Sequence, residues 1–446
     1  MINDRDGCPQ MSTDVLLFST TSSIAQCRRM RNIFDQYSQP ENRLTHALVC
    51  ALNEDKKLLH HFVRWVTGKS APKYIEIIEQ GLPGDPELQE EESVRRGLPD
   101  AWLHDGNNWS LLVESKVSAE LKIEQLHRHR NTALRCGIDD IKILVIDVDS
   151  PRRNLPDYVI FRKWSEIYTW LCKQSSRSEW APKTARYLEV AESKWSANGY
   201  LKEGALTVFS GIPFSDDSPY NYPEAKRLIK LAMNDLRARK DLVRKLNMNP
   251  QGPGRGSITG REGMAVWDFL RLKGAKDDEP FTKYPHLTLG LERDLVSVAI
   301  TVPHGIKATL RRNIVDLGFE GFSELMADIN NNLNKVLNKA KGAAPWVRVV
   351  QRRYPSQRSP AIVDARLEYD LRTAFSSQRH QSVKVQQEWV IATYEALAKK
   401  RANIQVTVGA IFPYRACEVT RSPEIINFIA DSWIACKPLR DVMLTA

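Results

Sequence analysis

Seven cysteines lie scattered along the chain, at positions 8, 27, 50, 136, 172, 417 and 436, and none forms a Cys-x-x-Cys pair. An odd count without ligand spacing excludes a disulfide framework and a structural zinc site, and fits reduced thiols in a cytosol. No apolar run approaches the ~20 residues that would cross a bilayer. The opening MINDRDGCPQ carries acids early and no basic stretch leading into an apolar one, so no signal peptide is expected and a cytoplasmic location is. The glycine-rich stretch Gly252 to Gly263 lacks the Gly-Lys-Ser/Thr ending of a phosphate-binding loop. It reads instead as a loop in which Arg255 touches a nucleic-acid backbone, with an inert linker as the alternative. Acidic residues are missing altogether between Asp328 and Asp364.

What is present points to a globular protein of more than one domain. The 446 residues exceed one ordinary core, and 42% are apolar and 26% charged. The net charge of +10 favours a polyanionic partner, because Lys and Arg release counterions from nucleic acid. Within the acid-free stretch, Arg348, Arg352 and Arg353 stand with Trp346 and Tyr354, a mixture of charge and aromatic surface used on nucleic acid. A solvated basic strand face is the alternative.

The stretch that organises the N-terminal half is GLPDAWLHDGNNWSLLVESKV, residues 97 to 117. Ala101 to His104 reads as a short strand, Asp105-Gly106-Asn107-Asn108 as a tight turn, and Trp109 to Val117 as a second strand. Side chains alternate along a strand, so Glu114 and Lys116 share a face, and the hairpin brings Asp100 towards them. Two carboxylates and an amine suit a hard divalent cation that keeps waters for a substrate phosphate. Upstream, Pro40 opens a helix whose inward face, Leu44, Ala47, Leu48, Ala51 and Leu52, includes Glu41. A carboxylate on that face is costly unless something positive meets it; the alternative is an acid that simply complements the helix dipole. Further helices are expected over Lys57 to Val66, Glu120 to Cys136, Trp164 to Cys172 and Trp180 to Trp195, and strands over Tyr74 to Ile78, Lys142 to Val148 and Tyr158 to Phe161. His127 and His129 are two apart and fall on different sides of their helix. Arg128, His129 and Arg130 read as a phosphate-facing rim, with a solvated face as the alternative.

Pro99-Asp100 followed by Glu114-Ser115-Lys116, in this order of helix, hairpin, helix and strand, resembles the PD-(D/E)xK nuclease superfamily. The resemblance covers the N-terminal half only. It implies a restriction-endonuclease-like α/β core, with a mixed central sheet flanked by helices, and hydrolysis of phosphodiester bonds. Asp100, Glu114 and Glu41 would hold Mg²⁺ or Mn²⁺, and Lys116 and Gln125 would serve the attacking water and the site's orientation. DNA rather than RNA, a homodimer, a regulatory partner protein and an anti-phage or restriction-type role follow from the habits of that superfamily. The alternative is a nucleic-acid-binding or sensing protein that keeps the fold without cleaving.

The expected organisation is a tail over 1–30, the nuclease domain over 31–200, a basic helical connector and glycine-rich loop over 201–262, and an α+β C-terminal domain over 263–446. The connector holds one long basic helix from Tyr222 to about Leu246. The C-terminal part holds a hairpin, His286 to Leu291 with Leu295 to Val302, strands at Trp346 to Tyr354, Ala361 to Leu371 and Ile404 to Phe412, and helices at Gly321 to Ala340, Val383 to Arg401 and Glu424 to Cys436.

Overall fold

A computed structural model describes residues 39–79, 98–151, 154–255, 264–276, 278–356, 361–375, 386–399 and 403–445. The expected N-terminal tail over 1–30 and most of the glycine-rich stretch lie outside them.

The first unit is built on a five-stranded sheet of β1 (Glu76–Glu79), β2 (Ala101–His104), β3 (Trp109–Ser115), β4 (Asp140–Asp147) and β5 (Val159–Lys163), in that spatial order. The pairing is mixed. β2 runs antiparallel to its neighbours β1 and β3, whereas β3–β4 and β4–β5 are parallel. A tight turn explains the reversal between β2 and β3: the Asp105 carboxylate accepts from the amides of Asn107 and Trp109, and Gly106 supplies φ +76°. Parallel neighbours need a crossover, and α3 (Ile123–Arg135) provides it between β3 and β4.

Helices α1 (Pro40–Glu54), α2 (Lys56–Thr67), α4 (Trp164–Gln174) and α5 (Trp180–Ala197) cover one face, where Leu111, Val113, Leu144 and Ile146 point. The opposite face packs Leu112, Ile143 and Val145 against Leu126 and Ala133 of α3. Burial on both faces accounts for the almost unbroken apolar run in β4.

The second unit is a six-stranded, wholly antiparallel sheet in the order β10-β9-β11-β8-β7-β6. Its strands are β6 (Ala265–Arg271), β7 (His286–Glu292), β8 (Leu295–Val302), β9 (Ala344–Arg353), β10 (Ile362–Asp370) and β11 (Ile404–Pro413). The expected long basic helix is two, α6 (Tyr222–Arg237) and α7 (Lys240–Leu246). Asp241 binds the Arg239 guanidinium and accepts from the Leu242 amide, which starts a new helix after the break. Nor is this segment a detached connector. Leu228, Ile229, Ala232 and Leu236 of α6 belong to the same core as Leu289 of β7 and Val298 of β8. The remaining helices are α8 (Ala308–Val315), α9 (Gly318–Leu337), α10 (Arg372–Phe375), α11 (Glu388–Ala398), α12 (Ile425–Ala435) and α13 (Lys437–Leu444). β6, α8 and α13 are not among the elements expected from the sequence. Among the described residues no helix is long and apolar enough to cross a membrane.

A buried carboxylate ties the end of the first unit to the segment that leads into the second. Glu192 of α5 is fully buried, and its oxygens accept from the amides of Leu206 and Thr207 at 2.7 and 2.9 Å and from the Thr207 hydroxyl at 2.7 Å. Removing the acceptor strands two interior amides, each a group that costs free energy when left unpaired. Glu192→Ala is therefore expected to lower unfolding free energy by about 3 kcal/mol in urea denaturation, whereas Glu179→Ala at the exposed start of the same helix changes it by less than about 0.5 kcal/mol.

Candidate functional site

The site lies where β2 begins and β3 ends. Antiparallel register sets Ala101 opposite Val113, which brings the residue before β2 level with the end of β3. The Asp100 carboxylate accepts from the Ser115 amide at 2.7 Å, so its direction is fixed by backbone as well as by the hairpin. The chain leaves β3 in a fixed direction too, since the Lys116 amide donates to the Ile146 carbonyl of β4 at 2.8 Å.

Glu114 is the centre of the cluster. Its side chain is 1% exposed and lies on the α3 side of the sheet. The Lys116 ammonium lies 2.5 Å from Glu114 Oε1, and the Gln125 amide donates to the same oxygen at 2.7 Å. His129 Nε2 sits 3.0 Å from Oε2. Gln125 and His129 are four residues apart on α3, and that spacing puts both on the face turned to the sheet. Lys116 and Gln125 are therefore gathered at Glu114, as the sequence spacing suggests.

The reading of His129 as part of a phosphate-facing rim is corrected. It is 1% exposed, while its neighbours Arg128 and His127 point to solvent. The signal that could have found it is the Gln125–His129 spacing, read as one inward polar face instead of as two histidines two residues apart. Arg130 turns to Tyr158, just before β5, its guanidinium 5.0 Å from the centre of that ring.

Glu41 does approach the site. It lies in the first turn of α1, half-buried, and Glu41 Oε1 accepts from the Ser118 amide at 3.3 Å and the Ser118 hydroxyl at 3.4 Å. The Ser118 hydroxyl also meets the Tyr200 hydroxyl at 2.5 Å. Neither Ser118 nor Tyr200 carries a pattern that singles it out in the sequence.

The electrostatics follow from burial and mutual charge. Burial holds the Asp100 carboxyl well above the usual carboxylate range, the Glu114 charge adds to it, and Glu41 pushes the same way. Lys116 and the Ser115 amide oppose them. Burial also penalises ionised Glu114, but the His129 hydrogen bond and the Lys116 charge outweigh it and leave its carboxyl below the ordinary value. Burial would lower the Lys116 pKa. The Glu114 charge and hydrogen bond, followed by Asp100 and Glu41, raise it instead, so Lys116 is an ammonium.

No group of three or more His, Cys, Asp or Glu side chains among the described residues is arranged to hold a metal ion. The chemistry of the carboxylates nevertheless suits one. Asp100 and Glu114, with Glu41 near them, make a crowded acidic pocket in which Asp100 resists ionisation, and Mg²⁺ needs only one or two protein carboxylates.

Four of the cations expected to meet nucleic acid, Arg255, Arg348, Arg352 and Arg353, lie in the second unit, away from this site. Arg348 binds Glu292 through two bonds of 2.9 and 3.0 Å and also binds Glu368, and Arg353 pairs with Asp364 at 2.8 Å. The acids missing from residues 329–363 are thus supplied by neighbouring strands and the residues beside them. Arg352 donates to the Gln405 amide oxygen, and Arg255 lies 3.9 Å over the Trp267 ring. No family model, curated protein or solved structure matches the chain.

The raised pKa of Asp100 makes a prediction with a definite sign. An acid bound more tightly to its proton in the folded state loses stability as pH rises above its unfolded value. Asp100→Asn keeps an oxygen for the Ser115 amide and removes the charge. In EDTA at about pH 8 it should be more stable than wild type by about 1 kcal/mol. The gap should close towards about pH 4, where the wild-type carboxyl is protonated. Thermal unfolding at the two pH values checks this.

Proposed function

We propose that the chain is a metal-dependent nuclease of the PD-(D/E)xK type, with the five-stranded unit as a restriction-endonuclease-like core and DNA as the preferred substrate. The observation that carries the reading is the convergence of Asp100, Glu114 and Lys116 at one end of a mixed sheet, with Gln125 and Glu41 beside them. Asp100 and Glu114 would hold Mg²⁺ or Mn²⁺, with Glu41 as an outer acid. When bound, the ion supplies positive charge to the scissile phosphate and acidifies water.

The chain's own residues divide the remaining work. Lys116, held as an ammonium, orients the attacking water and offsets charge that builds on the phosphate during in-line displacement. It acts as a cation and hydrogen-bond donor; a proton acceptor would have to be neutral. Gln125 fixes one Glu114 oxygen and His129 the other, so the carboxylate keeps its orientation when the substrate arrives. Arg128, exposed on the same helix, extends from the site as a phosphate contact, and Arg130 would join it by leaving the Tyr158 ring.

The same geometry favours a second reading, a protein that binds nucleic acid without cutting it. Three side chains already meet the Glu114 carboxylate, Lys116 and Gln125 at one oxygen and His129 at the other, which leaves one lone pair for a metal. A cleavage assay on single- and double-stranded DNA and RNA with Mg²⁺ or Mn²⁺ separates the two. Wild type should cut, and Lys116→Ala should lose on the order of 10²- to 10⁴-fold in rate while still binding. If neither protein cuts and both bind alike, the non-cleaving reading stands.

A further inference from the structure

Exposed arginines of the second unit are largely held by neighbouring acids: Arg353 by Asp364, Arg366 by Glu368 and Arg372 by Asp370. Cations without such partners are concentrated instead in the first unit. An open groove of about 800 Å³ runs between α2 and α4. His61 and Arg64 line it from α2, Lys173 from α4, and Arg177 from just beyond the end of α4. All four side chains are exposed. None of them forms an ion pair with an acid among the described residues. Glu166 is the one acid among the described residues of the lining, and its carboxylate already accepts from the Lys163 amide at 2.7 Å.

The floor of the groove is aromatic and closely packed. Trp65 and Trp170 stack with ring centres 5.5 Å apart, and Phe62 meets Trp170 edge-on at 5.3 Å. Trp170 is buried, and the Arg162 guanidinium lies 5.1 Å over the Trp65 ring. The indoles are therefore used up in packing. What the groove offers a partner is charge on a fixed base.

The groove begins at the edge of the sheet that carries Asp100 and Glu114. Parallel register sets Ser115 beside Ile146 and Asp147 beside Lys163, so β3, β4 and β5 end nearly level. Helix α4 starts directly after β5, and Ser165 and Glu166 of its first turn line the near end of the groove. β5 stands two strand spacings from β3, roughly 10 Å. From Ser165 the helix carries the lining on to Lys173 over about 12 Å.

We propose that this groove holds the phosphate backbone of nucleic acid beside the carboxylate site, with Arg64, Lys173 and Arg177 as the phosphate contacts. Exposed cation tips suit a solvated polyanion, whose counterions are released when they bind, and such contacts fix position without reading sequence. The choice of nucleic acid as the polyanion rests on the nuclease reading, whereas the surface is argued from its own charge.

The test is fluorescence anisotropy on the full-length protein in EDTA, so that cleavage plays no part. The probes are short DNA and RNA duplexes of unrelated sequence, with polyglutamate as competitor. Wild type should bind at least one kind of duplex with a Kd below about 100 μM near physiological salt. Arg64→Ala/Lys173→Ala/Arg177→Ala should weaken that binding about tenfold or more, to the same extent for every sequence, with an unchanged unfolding midpoint. The slope of log affinity against log salt should shrink by about 2 to 3 in this variant and by about 2 in Lys173→Ala/Arg177→Ala. Arg366→Ala, which removes an exposed but paired cation, should bind as wild type does. The proposal is overturned if no duplex binds wild type, or if the triple variant keeps the wild-type affinity and slope. It is also overturned if polyglutamate displaces the duplex at equal charge concentration, which would make the groove a site for acidic protein segments. Added Mg²⁺ separates this inference from the nuclease reading. A duplex held through the groove but left uncut supports the groove and counts against cleavage, whereas a triple variant that cuts limiting DNA as fast as wild type overturns the groove alone.

Discussion

A carboxylate taken almost wholly out of water must be met by donors, or it does not remain ionised. Glu114 meets that demand with Lys116, Gln125 and His129, drawn from the end of β3 and one face of α3. The rest of the first unit can be read as what this arrangement requires. The β2–β3 hairpin delivers Asp100, the β3–β4 ladder fixes the course of Lys116, and α3 must cross on the Glu114 side to bring its polar pair. Apolar packing of Leu126 and Ala133 on that face sets the helix at the depth where Gln125 and His129 reach.

The cluster is also where the fold is least comfortable. Asp100 is held close to Glu114 and Glu41, with one ammonium among three acids. Groups chosen for packing alone would not be assembled this way, and perturbed carboxylates of this kind gather at functional sites. Glu192 makes a useful contrast. It is as buried as Glu114, yet its three bonds go to one short backbone segment and its neighbour's hydroxyl, which is what a purely architectural acid needs.

Much of the first unit was legible in the sequence because its signals are local. The Asp-Gly turn, the Glu-x-Lys alternation and the apolar β4 run each depend on a few adjacent residues, and all three are found as expected. His129 was misread because its role comes from a helix face docking on a sheet, a long-range fact. The break between α6 and α7 was missed because the basic composition of the segment hid the start signal at Asp241. The second sheet was harder still. Its hairpin β7–β8 could be read from alternation, but β6 pairs across a stretch without pattern, and the Arg348 clamp to Glu292 and Glu368 depends on strands far apart in the chain. Charge counted along the sequence therefore suggested a free basic face where the fold has already supplied partners for Arg348 and Arg353.

The central claim is that Asp100 and Glu114 together form a seat for a divalent cation. Thermal unfolding of wild type and Asp100→Asn across a Mn²⁺ titration tests it most directly, since a ligand that binds only the folded state raises the midpoint with concentration. A rising midpoint is expected for wild type and a flat one for Asp100→Asn. Equal responses from the two proteins, or none from wild type, would contradict it.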